Sequence, residues 1–226
     1  MIPSTFRKPG LLTTQFSPVA TYQLNGISDV TDQSGNGRTL TATTAFPAAA
    51  GIRAGKGAIA GGGVHTRTDA GLRLQGDLTV FGVLSFGYPS LIQTIACCGI
   101  TGTTSGTNQC FSLRTSGGAL TLFSEHGAGA DDLVSVGEVL TGEWCTVAAT
   151  RASNVVELYL NGVRLGSATV AAPDGGGSSV FAIGAESSGA NPLLGVTILD
   201  QVGIWSTALS AAQLVYLTRL TLGFAV

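Results

Sequence analysis

The run E-W-C-T-V-A-A-T-R-A-S-N-V-V-E-L-Y-L-N-G-V-R-L-G, Glu143 to Gly166, decides the fold. It holds a hydrophobic strand, a short polar break, and two further runs separated only by Asn161-Gly162. Asn-Gly between apolar runs is the strongest local sign of a β-hairpin, because a type I′ turn needs positive φ at both central positions. With that turn, Leu160 faces Val163 and Leu158 faces Leu165, and these four share one side with Val156. Glu157, Tyr159 and Arg164 take the other side, with Tyr159 opposite Arg164. One side is core and the other is wet or ligand-facing. The stretch reads as antiparallel β.

Composition extends that reading to the whole chain. Its 226 residues suit one large β domain or two small ones. A 44% hydrophobic content with 33 glycines and 11% charged residues fits a turn-rich, well-buried all-β protein. The formal charge of −2, with scattered basic residues, argues against nucleic acid or an anionic membrane surface as the main partner. Mean hydropathy is positive. Yet no apolar run reaches the roughly 18 residues of a membrane helix, and Leu78 to Ile100 is broken by Thr79, Ser85, Pro89, Gln93 and Thr94.

Upstream, M-I-P-S-T-F-R-K-P-G has no apolar core after its basic pair, so no signal peptide is visible. That leaves a mature secreted form or a protein assembled in the cytoplasm, and the initiating Met favours the second. Met1 to Pro18 lacks periodicity and carries three prolines. It reads as an extended arm, 1–18, that drapes over the domain or reaches a neighbouring subunit. The domain proper is 19–226.

Short strands are expected at Val19–Leu24, Arg38–Ala42, Val64–Thr68, Leu72–Gln75, Leu78–Phe86, Leu91–Cys98, Gln109–Arg114, Ala119–Glu125, Leu133–Val136, Val180–Gly184 and Leu194–Trp205. Asp32, Ser34, Gly35, Asn36 and Gly37 form a tight turn, and Thr43 to Gly63 is a loop with a short edge strand. The period changes after Trp205. Ser210 with Gln213 makes an S-x-x-Q capping box, and Leu209, Leu214, Leu217 and Leu220 share one helical face. The pattern predicts an all-β sandwich or jelly roll carrying one short C-terminal helix.

The four cysteines have no metal-ligand spacing. Cys97 and Cys98 point to opposite faces, so both cannot meet Cys110. A hairpin around Thr104 sets Cys98 opposite Cys110. One cross-strand disulfide is then open, against the favoured reading of Cys97, Cys98, Cys110 and Cys145 as free buried thiols.

Three stretches together resemble the laminin G-like, concanavalin A-like jelly-roll family. A-T-Y-Q-L-N-G followed by D-Q-S-G-N-G-R-T-L-T-A, Ala20 to Ala42, is similar to the family's first strand and D-x-S-G-N-G turn. E-W-C-T-V-A-A-T-R with L-Y-L-N-G-V-R-L-G is similar to its W-x-x-V-A strand and Y-x-N-G hairpin. Leu193 to Leu214 is similar to its closing strand and helix, with Gln201 and Gln213 where the family usually has Glu, and an insertion-like Thr197-Ile198-Leu199 before Asp200. The resemblance implies an antiparallel two-sheet jelly-roll sandwich that binds glycans or proteins, or packs into a larger assembly.

Some members bind calcium on the rim. Asp32 and Asp200 are the candidates, because the first and last strands lie adjacent in this jelly roll, and calcium needs six to eight oxygens. The competing reading gives Asp32 an Asx turn and Asp200 backbone bonds.

Catalysis is not expected. Glucanases of this architecture set carboxylates on one strand face in an E-x-D-x-x-E run, and none exists. Glu125 is followed by His126 and glycines and reads as an exposed loop pair, Asp131-Asp132 face opposite ways, His65 reads as a strand surface residue, and Ser34 has no nearby base. No G-x-S-x-G, HExxH or phosphate loop occurs. For glycan stacking, Tyr88, Tyr159, Trp205 and His126 are candidates, and Glu157, Tyr159 and Arg164 form the most exposed contact surface by pattern. Trp144 and Trp205 are expected to plug the core.

The low charge, the proline-bearing arm and the hydrophobic tail Leu220–Val226 resemble laminin G-like proteins of bacteriophage virions, which decorate capsids or form tails and fibres. The leading expectation is a non-catalytic virion component with surface glycan adhesion, its partners being other virion proteins or itself. The alternative is a secreted lectin-like domain.

Overall fold

The computed structural model describes residues 12–24, 30–45, 47, 49–52, 58–59, 63–99, 109–126, 130–137, 139, 141–171 and 180–223. Among them fourteen strands run in chain order: β1 (Ala20–Gln23), β2 (Thr41–Thr44), β3 (Ala58–Ile59), β4 (Val64–Thr68), β5 (Leu78–Ser85), β6 (Gln93–Gly99) and β7 (Gln109–Ser116), then β8 (Ala119–His126), β9 (Ala130–Val136), β10 (Trp144–Ala152), β11 (Val155–Leu160), β12 (Val163–Thr169), β13 (Val180–Ile183) and β14 (Ile198–Trp205). One helix, α1 (Ala211–Leu222), follows.

The strands form two antiparallel sheets. The first has the order β1-β14-β5-β10-β11-β12, with β3 also on β14; the second has the order β2-β4-β13-β6-β7-β8-β9. This is the expected jelly-roll sandwich with its short C-terminal helix. The Leu72–Gln75 strand is not formed. Asp69 caps a 3-10 turn at Ala70–Leu72 there, its side chain accepting from the Gly71 amide.

At the deciding hairpin, Asn161 and Gly162 take φ of 51° and 76°, as a type I′ turn requires. Leu160 pairs with Val163 and Tyr159 with Arg164. One pairing differs. Leu158 lies opposite Gly166 because the ladder slips after Tyr159, which makes Leu165 the extra residue of a bulge. Val163, expected in the core, is 66% exposed.

Between the sheets lies the main core, where Val80, Leu84, Phe111, Leu113, Val147, Leu158, Phe181 and Ile204 meet. A second apolar cluster covers the outer face of the first sheet. There Leu214 and Leu217 of α1, with Leu209 and Leu12, pack on Phe81, Val83, Ala148, Tyr159 and Trp205. The outer face of the hairpin is therefore covered at Tyr159 and wet only towards Arg164, and this corrects the pattern-based reading at Tyr159. A helix with two leucines on one face needs an apolar seat, and Tyr159 supplies part of it.

The described N-terminal segment joins the same layer. Gln201 accepts the Leu12 amide at 2.8 Å, Trp205 donates its indole N–H to the Gln15 carbonyl at 2.9 Å, and the Phe16 and Tyr216 rings meet edge to face. Residues 12–18 thus drape over the chain's own sheet, while 1–11 lie outside the described residues.

Candidate functional site

Tyr159 is only 3% exposed, so its ring has no free face for a ligand. Its hydroxyl donates to Glu157 Oε2 at 2.6 Å, and Arg164 Nη1 donates to Glu157 Oε1 at 2.6 Å. These two bonds hold the Glu157 carboxyl below its usual range, whereas burial, followed by the bond to Glu157, pushes Tyr159 up to about 12. Both carboxylate oxygens are engaged within the triad. What faces solvent here is the guanidinium of Arg164, in an exposed pair of the kind that contributes little to stability.

Asp32 is held by its own turn. Its oxygens accept the amides of Thr21 (3.1 Å), Ser34 (2.9 Å) and Arg38 (3.0 Å) and the Ser34 hydroxyl (2.9 Å). Burial pushes the carboxyl up, but these four donors outweigh it and the net shift is down. Asp200 is the extra residue of a bulge in β14, since Leu199 pairs with Leu84 and Gln201 with Val83. Its carbonyl accepts the Leu24 amide at 2.9 Å. Asp32 bridges to Tyr22 on β1, and β14 pairs with β1 through Val202 opposite the same Tyr22. The two backbones therefore flank β1, about 10 Å apart by strand spacing. Among the described residues no group of three His, Cys, Asp or Glu side chains converges.

His65 is fully buried on β4, contrary to the surface position expected of it. Trp205 is buried as expected. The side chains of Glu125, His126, Asp131 and Asp132 lie outside the described residues.

Of the aromatic candidates whose side chains are described, Tyr88 is the exposed one, at 52%. It stands on the loop from β5 to β6, at the edge of an open cleft of about 330 Å³. Gly87, Tyr88, Pro89, Ser90, Gly117, Gly118, Val139 and Thr141 line that cleft, and none carries a charge at neutral pH. The ring rests on Gly195. A Cβ there would come within 2.2 Å of Tyr88 Cε2, and Gly195 has φ of +62°, so both space and backbone call for glycine. The Cδ2–Cε2 side of the ring is thus backed by the Gly195 main chain, while about half of the residue stays exposed.

The loop is fixed from beneath. Gln93 is fully buried; its Nε2 donates to the Tyr88 carbonyl at 2.5 Å, and its Oε1 accepts the Leu194 amide at 2.8 Å and the Thr197 hydroxyl at 2.9 Å. Thr197 Oγ1 in turn accepts the Gly87 amide at 2.9 Å. On the far wall, the Gly117 and Gly118 amides donate to the Ser90 and Pro89 carbonyls, and the Val139 amide donates to the Gly118 carbonyl. A cleft held by this many bonds is preformed, which lowers the ordering cost of binding.

Sequence reasoning named Tyr88 but not the cleft. The turn itself was signalled by Gly87 and Pro89. That Gly117, Gly118 and Thr141 meet it follows only from the order of strands in the second sheet and the Phe86–Thr141 bridge.

The Concanavalin A-like lectin/glucanases superfamily model matches residues 91–215, more than half of the chain. The chain belongs to this superfamily. Similar solved structures include Domain 4 of AbnA, an extracellular arabinanase of Geobacillus stearothermophilus, in complex with arabinotriose: TM-score 0.67, 21% identity, 89% of this chain and 98% of that one. The binding domain of Paraclostridial Mosquitocidal Protein 1 gives 0.66 at 14% identity over 89% of this chain. The receptor binding domain of a botulinum neurotoxin C/D mosaic serotype gives 0.67 at 13% over 90%. The chain spans about half the length of those two toxin domains, 52% and 51%. At these identities the likeness is one of fold. Curated protein sequences give no match. No helix among the described residues is long and apolar enough to cross a membrane.

Proposed function

We propose that this chain is a non-catalytic binding module for a neutral glycan, held in the cleft beside Tyr88. The observation that carries the reading is the ring itself: half-exposed, backed along one side by Gly195, and set against a wall whose described residues are uncharged. Sugar rings offer a C–H face that stacks on an aromatic ring and hydroxyls that pair with polar groups, here Ser90, Thr141 and the glycine backbones. Among the described residues the lining is uncharged, which favours neutral over acidic sugars, and it holds no pair of carboxylates for glycoside hydrolysis. The AbnA domain in complex with arabinotriose, a neutral oligosaccharide, lends the reading support by analogy of fold.

In this reading Glu157, Tyr159 and Arg164 brace the hairpin and do not bind the ligand, and Asp32 and Asp200 serve their turn and bulge without calcium. The module works at an exposed or extracellular surface. A virion setting is a narrower version of the same reading, in which residues 1–11 join the module to its assembly.

A glycan array tests it. The wild-type protein is expected to bind neutral oligosaccharides saturably, Tyr88→Ala to lose at least about tenfold in affinity, and Arg164→Ala to bind as the wild type does. A blank array, or loss with Arg164→Ala alone, would overturn the assignment.

A further inference from the structure

The four cysteines are free and buried, but they are not equivalent. Burial pushes the Cys145 thiol up to about 12 and Cys97 up as well. Cys98 and Cys110 differ because of a bulge. In the β6–β7 ladder Cys98 lies opposite Phe111 and Gly99 opposite Gln109, which leaves Cys110 as the extra residue. A bulge turns two consecutive residues toward one partner. Cys98, Cys110 and Phe111 accordingly all enter the inter-sheet core, where the Cys98 thiol donates to the Cys110 sulfur.

Two cations stand beside that sulfur. The Arg73 guanidinium approaches it, with Nε and Nη2 buried and without a hydrogen-bond partner. Arg151 donates from Nη1 to the Cys110 carbonyl at 3.4 Å. The Cys98 donor first, then Arg73, bring the Cys110 thiol down against the opposing effect of burial, while Cys98 is raised and keeps its proton. Neighbouring antiparallel strands hold Cα atoms about 4.5–5.5 Å apart, inside the range a disulfide spans.

We propose that Cys98 and Cys110 are an oxidisable dithiol that hydrogen peroxide converts to an interstrand disulfide. The Cys110 sulfur attacks one peroxide oxygen, the O–O bond breaks, and the departing hydroxide takes up a proton and leaves as water. The Cys98 sulfur then attacks the Cys110 sulfenic acid; an S–S bond forms, the S–O bond breaks, and a second water leaves with the Cys98 proton. Two thiols lose two electrons and one peroxide gains them. The bond staples β6 to β7 in the second sheet and would record an oxidising surrounding in the fold itself.

Peptide mapping tests this on the native chain. After brief exposure to hydrogen peroxide and quenching, the unfolded protein is treated with N-ethylmaleimide and its peptides are weighed. The expected product is a Cys98–Cys110 link that has lost two hydrogens, with Cys97 and Cys145 fully labelled. Arg73→Met is expected to slow closure by about tenfold, with Arg73→Lys keeping most of the rate. A link through Cys97 or Cys145, an unlinked Cys110 oxyacid, or four fully labelled thiols in the wild type would each overturn the proposal. The wild-type map decides even where a variant fails to fold.

Discussion

Two buried polar residues do more for this fold than their sequence neighbourhoods announce. Arg151 is fully buried on β10 and donates to the carbonyls of Gly76 (2.8 Å), Leu74 (2.9 Å) and Cys110 (3.4 Å), tying the segment before β5 and the start of β7 to the first sheet. Burial lowers its pKa to about 10, which leaves it charged at neutral pH. Arg151→Ala orphans three carbonyls and is expected to cost about 3 kcal/mol in urea unfolding; a loss below about 1 kcal/mol would contradict the assignment. Asp32→Ala removes the acceptor of three amides and is expected to cost about 2 kcal/mol. Its sign with pH follows from the direction of the shift. The folded-state pKa is depressed, so the contribution is whole above the unfolded value near pH ~4 and is lost as pH falls through the folded value. Acid unfolding curves of the wild type and Asp32→Ala should converge at low pH. The Asx turn at Asp32 was readable because Asp, Ser and Gly bond their own neighbours. Arg151 was not, because its partners lie 41 to 77 residues away.

At the scale of elements, local rules held where their physics is local. The capping box reads directly from Ser210 and Gln213, and both reciprocal bonds are present. Ser210→Ala should cost about 1 kcal/mol, with thermal unfolding as the measurement; a neutral effect would mean that packing alone holds the helix start. The Asn161-Gly162 turn was equally plain. What period-2 alternation could not supply was the fate of the hairpin's outer face. Alternation separates two sides but does not say what covers each. The cover comes from α1, whose Leu214 and Leu217 reach Tyr159, and from Leu12 at the other end of the chain. The bulge at Leu165 was hidden for a related reason, since nothing in V-R-L-G marks the extra residue. Bulges answer to packing, here the seating of Gly166, where a Cβ would come within 2.8 Å of Val136.

For the molecule as a whole, the two-sheet architecture was legible from short runs and turn residues, and the superfamily from three motifs that each mark a sheet element. The binding cleft was not. It is assembled from three loops that meet only once the second sheet is ordered, and its wall of glycine backbone has no side-chain signature. With Asp32 engaged by its own turn, millimolar calcium or a chelator should leave the melting temperature unchanged; a rise of several degrees with calcium would restore the rim site. The most direct check of the central claim is an amide NMR titration with a neutral oligosaccharide drawn from the array. The account predicts shifts concentrated at Tyr88, Ser90, Gly117, Gly118 and Thr141, abolished in Tyr88→Ala. Shifts centred instead on Glu157 and Arg164, or unchanged binding by Tyr88→Ala, would contradict it.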